Sequence, residues 1–529
     1  MKIIFVTWWV LSGIGKGITA SSIGAILKWG WYKVSMQKLD WYLNVDPGTM
    51  SPFQHWEVFV TDDWSETDLD LGHYERFIDA NLNYSSSFTS GRFYEELIRR
   101  ERNGDFLWKT VQIIPHLTNL VKEKIIEAYK SNNSDILIVE IWGTVGDLEN
   151  AYLIESAREL KSEFGKENVL FVHVTLLPYI ASSKELKTKP TQHSVRELMS
   201  FGITPDFLVL RADMEITDEL VEKTAYMCSV DKKNVIPSPT VSSIYEVPLN
   251  YNERKFWDLI LEKFWLPNNW FDLKKWKILN DNIKSSKEKV VIWMIWKYNW
   301  LEDSYFSLNE WLKIAWFEVK KKVELKFIDA SLIEEQNWTD LLKWLDWICI
   351  PWWFWERWIE WMIKSCEYAR KNNIPYLWIC LGSQIMAIEF ARNVLNLKTA
   401  NSEEFNENTS DKVVHIMESQ KWIYKKWWTM RLWSYPCHIK NWTLAYDVYW
   451  KNDIDERHRH RFEFNNKYRD EMQNSWFIIS WTSPDWELVE IVEIKNHKFM
   501  IWSQFHPEFK SRPTDSHPLF KWFLKSIIK

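Results

Sequence analysis

The chain has 529 residues, with 66 basic against 72 acidic side chains and a net charge of −6. That length accommodates two to four separately cored domains, and the near balance of charge gives no sign of a bulk polyanion-binding surface, so any nucleotide recognition has to be local. Five scattered cysteines (Cys228, Cys349, Cys366, Cys380, Cys437) include no Cys-x-x-Cys, which excludes a disulfide framework or zinc ribbon and fits a reducing cytoplasm, while no apolar run is long enough to span a bilayer.

In chain order, the apolar residues 3–7 predict a strand, and Ser12-Gly13-Ile14-Gly15-Lys16-Gly17-Ile18 follows at once. Backbone amides of such a loop can cradle phosphates while Lys16 neutralises their charge, although Gly17 stands where a strict Walker pattern has Ser or Thr. An ordinary strand–helix turn is the competing reading. Strand-like runs at 33–39, 136–141, 169–175 and 207–211 alternate with helical patterns at 118–130 and 153–164, which predicts an α/β domain with a mostly parallel sheet over 1–265. Carboxylates in this half, Asp70 and the strand-end Glu140, are candidates to hold Mg²⁺ on phosphates. Lys187-Thr188-Lys189-Pro190-Thr191-Gln192 is a dense donor cluster suited to a triphosphate, or else an exposed basic turn.

Residues 266–289 are polar and predict an interdomain linker, after which strand-like runs restart at 290–295, 347–350, 375–379 and 498–505 in a second α/β domain, 290–529. Cys380 follows the apolar run 374–379, and His506-Pro507-Glu508 follows the last of these strands. A thiol at a strand end, an imidazole and a carboxylate are the equipment of covalent acyl transfer, with Cys380 as nucleophile, His506 as general acid/base and Glu508 as its orienting group. A thiol amidase joined to a phosphate site suggests that one half releases ammonia and the other consumes it with ATP.

The composition is anomalous, with 38 Trp against 14 Gly. Ordinary usage gives about 7% Gly, or about 37 in a chain of this length. The Trp cluster where chains turn, as in Trp8-Trp9, Trp64, Trp352-Trp353 and Trp427-Trp428, sites that favour Gly. UGA is read as Trp in one variant genetic code and as Gly in another, so the pattern predicts that many of these Trp are Gly in the natural protein. Trp41 does not fit that account.

The blocks Lys38-Leu39-Asp40, residues 44–55, residues 67–77 (TDLDLGHYERF) and residues 187–194 (KTKPTQHS) resemble CTP synthase nearly end to end, and the second half resembles class I glutamine amidotransferases. The resemblance implies amination of UTP to CTP with ATP and glutamine, in an N-terminal P-loop-like synthetase (amidoligase) domain joined to a C-terminal α/β glutaminase. It implies that Gly13, Ile14, Gly15, Lys16, Gly17, Ile18 and Asp70 bind ATP, that Asp70 and Glu140 hold Mg²⁺, and that Lys16 and Lys38 support phosphoryl transfer. Ser12, Asp147, Leu148, Glu149, Lys187, Thr188, Lys189, Pro190, Thr191, Gln192 and Lys223 are implied for UTP, or for CTP as feedback inhibitor. Trp353 (by its backbone), Leu381, Gly382, Ser383, Gln384, Glu404 and Arg461 are implied for glutamine, and Pro52, His55 and Val58 for an ammonia channel. GTP as allosteric activator, a homotetramer, and no organic cofactor, nucleic acid or membrane partner complete what the likeness implies. Two alternatives stand beside it: a catalytically impaired structural homologue if the turn-site Trp are genuine, and another glutaminase-coupled amide synthetase.

Overall fold

The structure is a computed structural model that describes residues 1–9, 13–50, 57–63, 65–296, 306–329, 348–350, 359–417 and 434–527. Contacts divide the chain into two units, Met1–Met50 with Asp70–Asp281 and Ser51–Leu69 with Asn282–Lys529.

In the first unit seven strands run in the order Val235–Pro239, Phe207–Ala212, Val169–Leu176, Lys2–Trp8, Ile136–Ile141, Val34–Asp40 and Ser87–Thr89. All neighbours pair in parallel. Their near-continuous apolar sequences are what a sheet covered on both faces requires, and Ile136–Ile141 is buried at every residue. The helix Lys16–Trp29 starts directly after the glycine loop. Thus the α/β parallel architecture expected from the alternation is the one found.

The polar stretch 266–289 contains the helix Lys274–Ser285. Trp276 packs against Trp29, Phe77 and Tyr245, and Asn280 Nδ2 donates to the Tyr245 carbonyl at 2.9 Å. One apolar stripe within a charged sequence is enough to dock a helix, which the polarity of the segment as a whole conceals. A second departure from the sequence boundaries is larger. Residues 51–69, inside the N-terminal half of the sequence, belong to the second unit. They include the antiparallel hairpin Val58–Val60 with Glu66–Asp68.

The second unit is built on a nine-stranded mixed sheet. Its parallel part is Lys321–Asp329, Glu288–Trp296, Ile348–Ile350, Tyr376–Ile379 and Met500–Ser503, continued by Val489–Ile494, Phe477–Thr482, Ser434–Ile439 and Asp453–Arg457 in antiparallel pairing. Strand Tyr376–Ile379 lies between two parallel neighbours and delivers Cys380 at its carboxyl end. This is where α/β sheets build their sites.

The tryptophan excess leaves a backbone signature. Trp31, Trp108, Trp265, Trp442, Trp450, Trp476 and Trp486 all have φ between 54° and 78°. Two of them, Trp265 and Trp450, close the helices Phe256–Phe264 and Leu444–Tyr449 in the left-handed conformation. That position is usually glycine, because a β-carbon there crowds the following carbonyl. Inside, the indole N–H groups of Trp8, Trp257, Trp311, Trp361, Trp378, Trp481 and Trp502 are buried without a hydrogen-bond acceptor. Buried indoles ordinarily find one, and an unmade bond costs about 1–3 kcal/mol. The turn sites Trp64, Trp352, Trp353, Trp427 and Trp428 lie outside the described residues.

Candidate active sites

In the first unit the loop ahead of helix Lys16–Trp29 takes φ of +85° at both Gly13 and Gly15, which turns backbone amides toward the helix start. Arg211 fixes this loop by donating from Nε to the Ile14 carbonyl at 3.0 Å while its Nη1 holds the Ser238 carbonyl at 2.6 Å. A β-carbon on Gly17 would lie 2.9 Å from Asp70 Oδ1 and 3.5 Å from Glu140 Oε2. Of the two carboxylates beside that residue only Asp70 is nearer than ordinary contact, so a Ser or Thr at position 17 would require that side chain to shift.

Around it are two buried lysines. Lys38 Nζ is 2.8 Å from Asp70 Oδ2 and 3.2 Å from Asp40 Oδ1, and Lys16 Nζ is 3.5 Å from Glu140 Oε1. Tyr74 donates its hydroxyl to Glu140 Oε2. Burial pushes the Lys16 ammonium down to about 8 despite Glu140 beside it. The Asp70 carboxyl is held well below the usual range: burial opposes this, but Lys38, Lys16 and His73 together outweigh it. Burial raises the Glu140 carboxyl. Hard oxygen ligands next to a phosphate-cradling loop suit a divalent cation carried on a nucleotide, so the donor set fits Mg²⁺.

A cleft of about 260 Å³ adjoins this cluster, lined by Trp8, Trp41, Trp142, Asp147 and Glu149 among others. Trp142 and Trp8 lie over Lys16 Nζ, with ring centres at 4.0 and 4.8 Å, and Trp41 stacks on Trp142. Of the other pyrimidine-nucleotide candidates, Leu148 is exposed, while Thr191 and Gln192 are buried at the start of helix Lys189–Ser200. Thr191 Oγ1 donates to the Leu176 carbonyl, and Gln192 Nε2 to Thr188 Oγ1. Pro190 sits within the first turn of that helix. Lys187 pairs with Glu185, and Lys189 and Lys223 are exposed. Ser12 lies outside the described residues, as do Pro52, His55 and Trp353, whereas Val58 is buried in the hairpin.

In the second unit Cys380 has φ 57° and ψ −104°, a strained geometry that a non-glycine residue adopts at a nucleophile elbow. Its amide donates to the Ser503 carbonyl at 2.9 Å, and its thiol donates to the Arg459 carbonyl at 3.5 Å. Helix Leu381–Asn393 begins at the next residue, so its dipole favours a thiolate. His506 interacts with Cys380, and its Nδ1 lies 2.7 Å from Glu508 Oε1. Burial alone depresses His506, yet Glu508 and Cys380 overcome it and raise the imidazole to about 10. The Glu508 and Cys380 neighbours therefore favour the charged imidazole at His506, which the buried Glu508 carboxylate orients.

Beside the thiol, Ser383 donates to Gln504, and Gln384 Nε2 donates to Glu404 Oε2 at 2.7 Å. Glu404 is raised by burial and opposed by Arg461. Trp378 intrudes, because a β-carbon on Gly382 would meet its ring at 2.1 Å. Two positions before the nucleophile, where a sharp elbow favours a small side chain, the chain carries this indole packed against Gly382.

A model of the family described as CTP synthase N-terminus matches residues 2–266, and one described as glutamine amidotransferase class-I matches residues 300–526. The CTP synthase of Staphylococcus saprophyticus is 48% identical over 528 residues, covering 100% of this chain and 98% of that protein. The chain belongs to the CTP synthase family. The CTP synthase of Staphylococcus aureus strain JH9 is likewise 48% identical over 529 residues, covering 100% of this chain and 99% of that protein. Among solved structures, the Trypanosoma brucei CTPS glutaminase domain with bound acivicin is similar at 31% identity and a TM-score of 0.43, covering 45% of this chain and 93% of that one. Among the described residues no helix is long and apolar enough to cross a membrane.

The residues that sequence reasoning missed are those whose partners are remote. Arg211 and Gln504 carry no local motif, and Tyr74 lies in the block 67–77 without any sign that its hydroxyl reaches Glu140. The basic run 457–461, whose bland reading is a solvated surface, is interior at Arg457, His458, Arg459 and His460.

Proposed function

We infer that this chain carries out the reaction of its family, the ATP-dependent amination of UTP to CTP with glutamine as nitrogen donor. The observation that carries the reading is Cys380 on a strained elbow against His506 and Glu508, in a chain that matches CTP synthases over its whole length. In this reading the Cys380 thiolate attacks the glutamine carboxamide carbon. His506 gives its proton to the departing nitrogen, releasing ammonia, and then takes one from the water that hydrolyses the thioester to glutamate. Gln384, Glu404 and Arg461 orient the substrate's polar end. At the synthetase site the γ-phosphoryl of ATP passes to O4 of UTP, and ammonia then displaces phosphate at C4, leaving CTP, ADP and phosphate. Lys16 and Lys38 hold the charge that develops on the transferring group, and the loop 13–18 orients the phosphates. Asp70 and Glu140 would hold Mg²⁺, which supplies charge neutralisation on the β- and γ-phosphates. Thr188–Gln192, with Asp147 and Glu149, form the pyrimidine-nucleotide face for UTP or inhibitory CTP.

Use of the released ammonia by the synthetase half, with Pro52, His55 and Val58 as the residues the family resemblance implies for its transfer, is part of the same proposal. Activation by GTP, a homotetramer and a cytoplasmic location belong to the same proposal, as do the functional halves 1–265 and 290–529. The test is Cys380→Ala, which abolishes glutamine-dependent synthesis and leaves synthesis from added ammonium salt. Loss of both activities in a folded variant overturns the division of labour.

We also propose that many Trp of this sequence are Gly in the natural protein. Among the described residues, seven left-handed Trp, seven acceptorless buried indoles and the packing of Trp378 on Gly382 all support it. With glycine at these positions the nucleotide cleft lined by Trp8, Trp41 and Trp142 would be wider and the space beside Gly382 open. Peptide mass spectrometry of the protein from its own organism decides the matter. Glycine masses at positions 378, 442 and 450 are expected, and tryptophan masses there refute the proposal and favour the impaired homologue.

A further inference from the structure

Cys437, His458 and Glu490 meet inside the second unit, where each presents one ligand atom and all three atoms lie within 4.8 Å of one another. They come from separate parts of the nine-stranded sheet: Cys437 from strand Ser434–Ile439, Glu490 from Val489–Ile494, and His458 from the residue after Asp453–Arg457. Exposure is 1% at Cys437 and 0% at His458 and Glu490. A fourth donor adjoins them. His460, also buried, has its Nδ1 3.0 Å from the Phe462 carbonyl, which can only accept. That nitrogen therefore carries the proton of the neutral ring, and Nε2 holds a lone pair. The lone pair faces His458 Nδ1 at 3.2 Å. His458 Nδ1 in turn stands 3.6 Å from Glu490 Oε2, too far for a hydrogen bond. Tetrahedral ligands held about 2.0–2.3 Å from one zinc ion are about 3.3–3.6 Å apart, close to both of these separations.

We propose that Cys437, His458, His460 and Glu490 form a structural Zn²⁺ site. One thiolate, one carboxylate and two neutral imidazoles cancel the divalent charge, as a site shut off from water requires, and sulfur with nitrogen favours zinc over Mg²⁺ or Ca²⁺. Binding releases the Cys437 proton, which the thiol otherwise donates to the Tyr435 carbonyl at 3.4 Å. It also leaves the His458 ring proton on Nε2. The ion pins a segment whose Arg457 carbonyl accepts the His506 amide and whose Arg459 carbonyl accepts the Cys380 thiol. Its role is to hold that chain in place, without touching substrate. The ligands are too widely spaced in sequence to form a ribbon pattern, so only the folded sheet brings them together.

The test uses the full chain carrying Cys380→Ala, so that the thiol at the elbow offers no competing ligand. Protein made in medium containing Zn²⁺ is dialysed against metal-free buffer, and zinc is counted by inductively coupled plasma mass spectrometry. One zinc per chain is expected, and Cys437→Ser in the same background is expected to bring it close to none. Protein made with Co²⁺ instead should show the near-ultraviolet charge-transfer absorption of a cobalt thiolate and the intense visible bands of tetrahedral cobalt. Cys437→Ser should remove the first, and Glu490→Gln should shift the second. Zinc-bearing protein is expected to melt at least about 5 °C above protein made in zinc-depleted medium. Should Cys437→Ser fail to fold, the nearly isosteric Glu490→Gln is the second variant, expected to lose zinc on dialysis. Absence of zinc from the folded Cys380→Ala chain overturns the site. Zinc retained equally by folded Cys437→Ser or Glu490→Gln places the ion elsewhere and overturns it as well, and equal melting temperatures overturn the structural role.

Discussion

Trp442 gives the cleanest measure of backbone strain. Its side chain is 99% exposed and its φ is 67°, so replacing it removes almost no buried surface. A residue with a β-carbon in the left-handed region costs about 1–2 kcal/mol, whereas Gly there costs only its greater freedom in the unfolded chain, about 0.4–1 kcal/mol. Trp442→Gly is therefore expected to stabilise the protein by about 1 kcal/mol, and Trp442→Ala, which keeps the β-carbon, by close to nothing. Urea unfolding reads this as a higher midpoint for the glycine variant at unchanged slope. Trp270 is the control, since it is exposed but does not have positive φ, so Trp270→Gly should lower stability. Equal midpoints for Trp442→Gly and Trp442→Ala, or destabilisation by the former, would refute the argument. Summed over the seven left-handed Trp, the strain reaches about 7–14 kcal/mol, as large as the whole stability of an ordinary domain.

Asp70→Asn should lower ammonia-dependent CTP synthesis by at least about 100-fold, and added Mg²⁺ should not restore it, as followed by CTP formation. For His506 the folded-state value lies above the unfolded one, so its charged form contributes stability that is complete below about 6.5 and is lost as pH rises through about 10. Glu508→Gln removes the first of the groups that raise it, so the alkaline limb of Cys380 alkylation by iodoacetamide should move to lower pH. An unmoved limb would show that the carboxylate does not hold the imidazolium.

The amino-acid sequence by itself determined the parallel α/β layout of the first unit. Buried parallel strands must be nearly continuous apolar runs, and 136–141 was legible to the residue as Ile136–Ile141. It also disclosed the nucleophile, because a strand-end cysteine with a later His-x-Glu is local chemistry, and it exposed the Trp anomaly as arithmetic. Tertiary structure alone decided that Gly17 faces Asp70 and Glu140, that the run 457–461 is largely interior, and that residues 51–69 complete the glutaminase unit. Each of these depends on partners distant in sequence. An ion pair such as Arg459 with Glu66 is specified by where two chain segments meet, and residue type and spacing carry no record of that meeting.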